Sequence, residues 1–195
     1  MLNTEKSKII EKSFKAVGAW FEDYTAVHLN DDNILNDKLD TLGYLKNHPN
    51  ETYPQLLYND KLKTAFALTK LAFNDEDRVG LIEPDGFYGL IIKDLKTNYG
   101  YINMSPTTLT GVIDNAINTS GLRFTAFPRF EEQYFIKTDN PLLASKFFTP
   151  KRISLFETLG NVKLIINRNT LLARIEDINN HSDWLHLLNL AGHLE

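Results

Sequence analysis

The sequence predicts an α+β fold in which N-terminal helices are followed by a mainly antiparallel sheet with inserted and C-terminal helices. Three observations predict it. Near the N-terminus, Ile10, Phe14, Val17, Phe21 and Tyr24 recur at helical spacing, with Lys and Glu opposite. Later, short β-branched and aromatic runs are separated by Gly, Asn and Asp turns. Finally, Asn140-Pro141 and Thr149-Pro150 each pair a capping residue with a proline that can open a helix. At 195 residues the chain suits one domain with a small helical annex: residues 1–50 as a helical segment packed on an α+β domain of residues 51–195.

The elements follow in order. The first apolar stripe, widened by Trp20, is a helix. A second follows the Asp31-Asp32 cap, with Leu35, Leu39, Leu42 and Leu45 on one face, and stops by Asn47 because HPNETYP carries two prolines. In DKLKTAFALTKLAF, Leu62, Phe66, Thr69 and Phe73 fit a helix, whereas Ala65, Ala67, Thr69, Leu71 and Phe73 fit a strand; the helix is the expectation. VGLIE reads as a strand, PDG as a turn, FYGLIIKDL as a strand, and KTNYG turns the chain into YINM. Ser105-Pro106 reads as a helix start, with Leu109, Val112, Ile113, Ala116 and Ile117 at helical spacing and Gly121 to stop it. LRFTAF alternates at period two and reads as a strand.

The run RFEEQYFIKTDNPLLASKFFTPKRISLF marks the transition from sheet to helices. Phe130, Glu132, Tyr134 and Ile136 would share one side of a strand ending at Asp139. Asp139 or Asn140 then caps a short helix, and Thr149 caps the next, whose Ile153, Phe156 and Leu159 face inward and which Gly160 ends. VKLII and LLARI form a hairpin across NRNT, and a last helix runs from Ser182 through WLHLLNLAGHL.

This run, with the helix and hairpin after it, resembles a diffuse family of bacterial domains of unknown function. Its members share a strand of the form F-E-x-x-F-x-V, an acidic turn, a helix containing Ala, a Leu-Thr-Pro step, a second helix and a final strand pair. Here Phe130, Glu131, Asp139, Ala144, Thr149 and Pro150 hold the matching places, Phe135 falls one residue past the place of the second Phe, and Phe148 stands where the family usually has Leu. The resemblance covers residues 80–195 and implies no catalytic residues. Members are often tethered to membranes, whereas no stretch of this chain approaches 18 apolar residues.

Composition narrows the function classes. The chain is 43% hydrophobic and 24% charged, within the globular range. It has no cysteine, which excludes disulfides, thiolate zinc sites and cysteine nucleophiles. No apolar leader opens the sequence, so a cytoplasmic protein is expected, and its Asn, Lys and Ile usage suggests an AT-rich bacterial or phage genome. The net charge of −4 gives no reason to expect nucleic acid, but the charge is uneven. Eight acids stand against two lysines from Glu22 to Asp60, and seven bases against two acids from Lys137 to Arg174. The halves either neutralise each other or leave a basic face for an anionic partner.

Candidate chemistry is sparse. There is no Gly-rich phosphate loop, no G-x-S-x-G and no H-E-x-x-H. His186 and His193 are seven residues apart, about 10 Å of helical rise, too far to share a metal; with Asn189 they form a polar stripe facing solvent. His28 and His48 near Asp31 and Asp32 have no known ligand spacing. Glu131 is expected to pair with Arg123 or Arg129, or else to face a cleft with Asp85 or Glu83. Tyr88, Tyr99 and Tyr101 are expected at a core edge. The best anion site is the helix start Thr149-Pro150-Lys151-Arg152, extended by Lys163 and Arg168. The expected function is a non-catalytic protein-interaction or oligomerisation domain, with no cofactor, metal or nucleic acid. The alternatives are a hydrolase-like enzyme with a carboxylate site, and an anionic-ligand or peripheral membrane-surface binder.

Overall fold

The computed structural model describes residues 8, 12–16, 25–27, 33–44, 51–59, 64–71, 87–107, 122–175 and 181–194. These residues form one eight-stranded antiparallel sheet with helices on both faces, the α+β class that the sequence predicts. The strands are β1 (Thr25–Val27), β2 (Glu51–Asn59), β3 (Thr64–Leu71), β4 (Phe87–Asp94), β5 (Tyr101–Pro106), β6 (Tyr134–Thr138), β7 (Val162–Asn167) and β8 (Thr170–Ile175). Their order across the sheet is β1-β2-β3-β4-β8-β7-β5-β6. The helices are α1 (Asn33–Thr41), α2 (Pro128–Gln133), α3 (Pro141–Phe147), α4 (Pro150–Leu159) and α5 (His181–His193).

Period-two alternation sorts the side chains between two faces. On the inner face, Ile91, Ile102, Met104, Tyr134, Ile136, Leu164, Ile166, Leu171 and Ala173 are buried with residues of α2 to α5, among them Phe130, Phe147, Phe156, Trp184 and Leu187. Residues 12–16 are helical, and Phe14 brings the N-terminal segment into this core edge-on to Trp184, with ring centroids 4.8 Å apart. Much of the core is aromatic. Phe148 alone lies 5.1 Å from Phe147, 5.2 Å from Phe124 and 5.7 Å from Phe130. Tilted and edge-on ring pairs of this kind each add about 0.5–1.5 kcal/mol beyond area burial.

On the outer face, α1 covers the centre of the sheet. Leu39, Leu42 and Tyr44 are buried, as are Leu90, Ile92 and Leu172. Hydrogen bonds among the described residues fix the helix there. Lys38 Nζ donates to Asp94 Oδ2 (2.8 Å), Asn167 Nδ2 to the Thr41 carbonyl (3.2 Å) and Arg174 to the Tyr44 hydroxyl (3.2 Å).

Four expectations need correction. Residues 64–71 are a strand, not a helix: β3 is paired along its length with β2 on one side and β4 on the other. A segment that fits both periods takes the one its neighbours can pair with. Ser105 and Pro106 do not start a helix but end β5, opposite Phe135 and Tyr134; a proline at a strand end and one in a first helical turn leave the same local signature. LRFTAF is not a strand. It turns, with the Phe127 N–H donating to the Phe124 carbonyl at 2.7 Å. Finally, Phe130 to Gln133 form the short helix α2, opened by Pro128, so the strand begins only at Tyr134 and ends at Thr138.

The sequence reading also missed two strands. β1 lies in the segment before residue 51, and β2 contains Pro54. Pro54 falls where the β2–β3 register shifts between Thr52 and Gln55, a bulge at which a missing N–H costs no ladder bond. The expected strand at VGLIE, the turn at PDG, the helix through Leu109 to Ile117, and the helical positions Ile10, Val17, Trp20, Phe21, Leu45 and their neighbours lie outside the described residues.

Candidate functional site

The two Pro-opened helix starts are built as the sequence predicts. Asn140 Oδ1 accepts the Leu143 N–H (3.1 Å) and Thr149 Oγ1 accepts the Arg152 N–H (3.4 Å), with Pro141 and Pro150 in the first turns.

The proposed anion residues are distributed rather than gathered. Lys151 is exposed in the first turn of α4. Arg152 is only 7% exposed and turns inward: its Nε donates to the His193 carbonyl (3.1 Å), a second guanidinium N–H to the Phe147 carbonyl (3.0 Å), and its plane lies 4.8 Å from the Phe147 ring centroid. Thr149 uses its hydroxyl as the cap. Lys163 is exposed on the outer face, with the sheet between it and α4, because its neighbours Val162 and Leu164 enter the inner core. Arg168 is in the β7–β8 turn with a φ of 60°. Its backbone is held by Gly100 and Tyr99, and the Tyr99 ring meets Phe147 at 5.3 Å. The turn and the start of α4 are therefore linked through Tyr99 and Phe147, and Lys163 stands apart.

The arginine has an evident electrostatic role. The last carbonyls of a helix lack intrahelical partners and carry partial negative charge. Arg152 supplies donors to such carbonyls at the ends of both α3 and α5. Lys93, 4% exposed, reaches the same end of α5 through the Ala191 carbonyl (3.0 Å).

The acids and histidines are placed as follows. Glu131 accepts from Arg123 (2.8 Å) and from the Phe124 N–H (3.2 Å), the salt bridge expected of it, and so fastens the 122–127 turn to α2. Asp139 Oδ1 accepts the Tyr101 N–H (2.8 Å). His186 and Asn189 are exposed and His193 half-buried. Tyr99 is half-buried at the core edge, Tyr101 is half-buried on the opposite face of the sheet, and Tyr88 lies beneath the Arg174 guanidinium at 4.0 Å. His28, His48, Asp31, Asp32, Glu83 and Asp85 lie outside the described residues. Among the described residues no three His, Asp or Glu side chains gather as a metal site, and no helix is long and apolar enough to cross a membrane.

One buried hydroxyl does organise its surroundings. Tyr134, 4% exposed, places its Oη between the carbonyls of Phe156 (3.0 Å) and Gly160, and accepts the Val162 N–H (3.5 Å). It thereby joins the end of α4 to the start of β7. Burial pushes its pKa up to about 12, against the opposing effect of the Val162 hydrogen bond.

The feature that sequence reasoning missed is a strip on the outer face of β7, β5 and β6. Asn103 lies opposite Lys137 on one side and Ile165 on the other, while Ser105 lies opposite Phe135. Tyr101, Asn103, Ser105, Phe135 and Ile165 are half-buried, and Lys137 and Lys163 are exposed. The inner-face residues of the same strands, Ile102, Met104, Ile136, Leu164 and Ile166, are all buried. Three strands distant in sequence compose the strip, so only the alternation within each one could have hinted at it. No protein-family model, curated protein or solved structure matches the chain.

Proposed function

We propose that this protein is a non-catalytic protein-interaction or oligomerisation domain that makes contact through the β7–β5–β6 strip. The observation that carries the reading is the contrast across one set of strands: one face is buried to completion, and the other leaves aromatic, aliphatic, amide and ammonium groups side by side and accessible. A mixture of aromatic anchors with a polar rim is the surface chemistry of protein recognition. Two of the polar groups behind the alternative readings are engaged in the fold itself: Glu131 on Arg123 and Phe124, and Arg152 on two helix ends.

The test compares the wild type with Phe135→Glu, a change at a half-exposed position, by light scattering on a sizing column and by affinity capture from native lysate. The wild type is expected to run as an oligomer or retain a partner, and the variant to lose that contact with its circular dichroism unchanged. A wild-type monomer that retains nothing overturns the reading.

A further inference from the structure

The turns at one end of the sheet form a single surface. There β4, β6 and β7 end and β5 and β8 begin. The Leu95 N–H donates to the Asn169 carbonyl (2.7 Å), the Tyr99 N–H to the Arg168 carbonyl (2.8 Å) and the Arg168 N–H to the Gly100 carbonyl (2.8 Å), which joins the 95–100 loop to the β7–β8 turn. On its other side Gly100 packs against Asp139 and Asn140: a Cβ placed on it would lie 3.7 Å from Asn140 Cβ. Helix α3 starts from this contact, and α4 starts beside the end of α3, where Arg152 holds the Phe147 carbonyl.

Leu142 projects from this end. It is 79% exposed, whereas Leu185, the next most exposed large apolar side chain among the described residues, is 36% exposed. Lys146, also exposed, is four residues further on and hence on the same side of α3. Lys96 in the 95–100 loop, Lys151 at the start of α4 and Arg168 in the hairpin turn are exposed at the same end. Among the described residues none of these four cations forms a salt bridge. Asp94 is paired with Lys38, and Asp139, though exposed, accepts the Tyr101 N–H. Four cations against Asp139 leave this end positive in a chain whose net charge is −4.

We propose that this end docks on the surface of an anionic phospholipid bilayer. Leu142 enters the acyl boundary, and Lys96, Lys146, Lys151 and Arg168 meet the headgroups. Exposure to this degree puts Leu142 on a projection rather than in a recess. A protein partner would need a pocket matched to that projection, whereas fluid hydrocarbon closes around it without one. Cations around an inserted apolar residue suit an anionic lipid surface, where each strengthens binding about fivefold. The contact is peripheral, since no helix among the described residues is long and apolar enough to cross a membrane. The β7–β5–β6 strip takes no part in it, so the inference goes beyond the protein-interaction reading and does not depend on it.

The test floats purified full-length protein with phosphatidylcholine vesicles made with and without phosphatidylserine, at low and high salt. The wild type is expected to bind the anionic vesicles, to leave the neutral ones, and to dissociate as salt screens the cations. Leu142→Gln should weaken binding by at least about tenfold, because no apolar side chain then enters the bilayer. Lys146→Glu/Arg168→Glu should weaken it by at least about twentyfold, because two cations are lost together. All three positions are exposed, so both variants should keep the wild-type circular dichroism. A wild type that does not bind anionic vesicles overturns the proposal. So does binding that Leu142→Gln leaves intact, which is attraction to a polyanion without insertion, and so does binding that the charge-reversal pair leaves intact.

Discussion

The Tyr134 hydroxyl serves backbone groups at the junction of α4 and β7, and its bonds to Phe156 and Val162 are buried. Tyr134→Phe keeps the ring among Phe130 and Phe156 and removes only the oxygen. The cost should be about 1–3 kcal/mol, the penalty for buried polar groups left without partners, read as a lower urea midpoint at unchanged slope. The pH dependence has a definite sign. The folded-state pKa lies near 12 and the ordinary value is 10, so the protein binds this proton more tightly when folded. The stability it confers is complete below pH 10 and is lost as the pH rises from 10 through 12. The wild type should therefore lose more stability across that window than the Phe variant does, which alkaline denaturant titrations of the pair will measure. Gly100 makes a second point at this scale. Its φ is +74°, and a Cβ there would meet Asp139 Oδ1 at 2.9 Å, the oxygen that accepts the Tyr101 N–H. Gly100→Ala combines backbone strain with disruption of the β5–β6 start, and a loss of roughly 1–3 kcal/mol is expected in the same denaturation assay.

At the scale of elements, legibility followed the range of the signal. The starts of α3 and α4 were readable because a cap and a proline are adjacent in sequence and act on the next turn. The β7–β8 hairpin was readable because two β-branched runs flank a short polar link. β3 was misread because its residues satisfy both periods, and only the flanking strands decide between them. Helix α2 was read as strand because alternation in FEEQYFI outweighed Pro128, the one residue that announces a first turn. Arg152 was assigned to an anion by its position in the first turn of α4, yet its guanidinium turns back to the C-terminal ends of two other helices, which no local pattern records. That arrangement makes a prediction about elements. Arg152→Met should destabilise by about 2–4 kcal/mol, since buried carbonyls of α3 and α5 lose charge-assisted donors together, whereas Thr149→Ala, which removes one cap bond, should cost only about 1 kcal/mol. Hydrogen exchange should show the Arg152→Met loss at the ends of both helices and the Thr149→Ala loss in the first turn of α4 alone.

The whole molecule is stitched from distant parts of the chain, and for that reason its outer surface was not legible in the sequence. The central pairing sets β4 against β8, and β5 is flanked by β7 and β6, so the strip exists only once residues from 101 to 167 have been assembled. The N-terminal segment belongs to this assembly on both faces. Phe14, 2% exposed, closes the inner core against Trp184, and Leu39, Leu42 and Tyr44 cover the outer side of β4 and β8. Burying each such side chain contributes about 1.5–3 kcal/mol. Four of them together rival the 5–15 kcal/mol by which a domain of this kind is stable. A chain beginning at residue 51 would also strip the Tyr44 hydroxyl from Arg174 and the Lys38 ammonium from Asp94. The fragment of residues 51–195 is therefore expected to lack a cooperative thermal transition and to bind a hydrophobic dye, whereas Phe14→Ala in the full chain should keep a single transition at a stability lower by about 3–5 kcal/mol. A fragment that melts cooperatively near the full-length temperature would show instead that the sheet and its inner helices stand alone, and that α1 and the segment before it are attached to a finished domain.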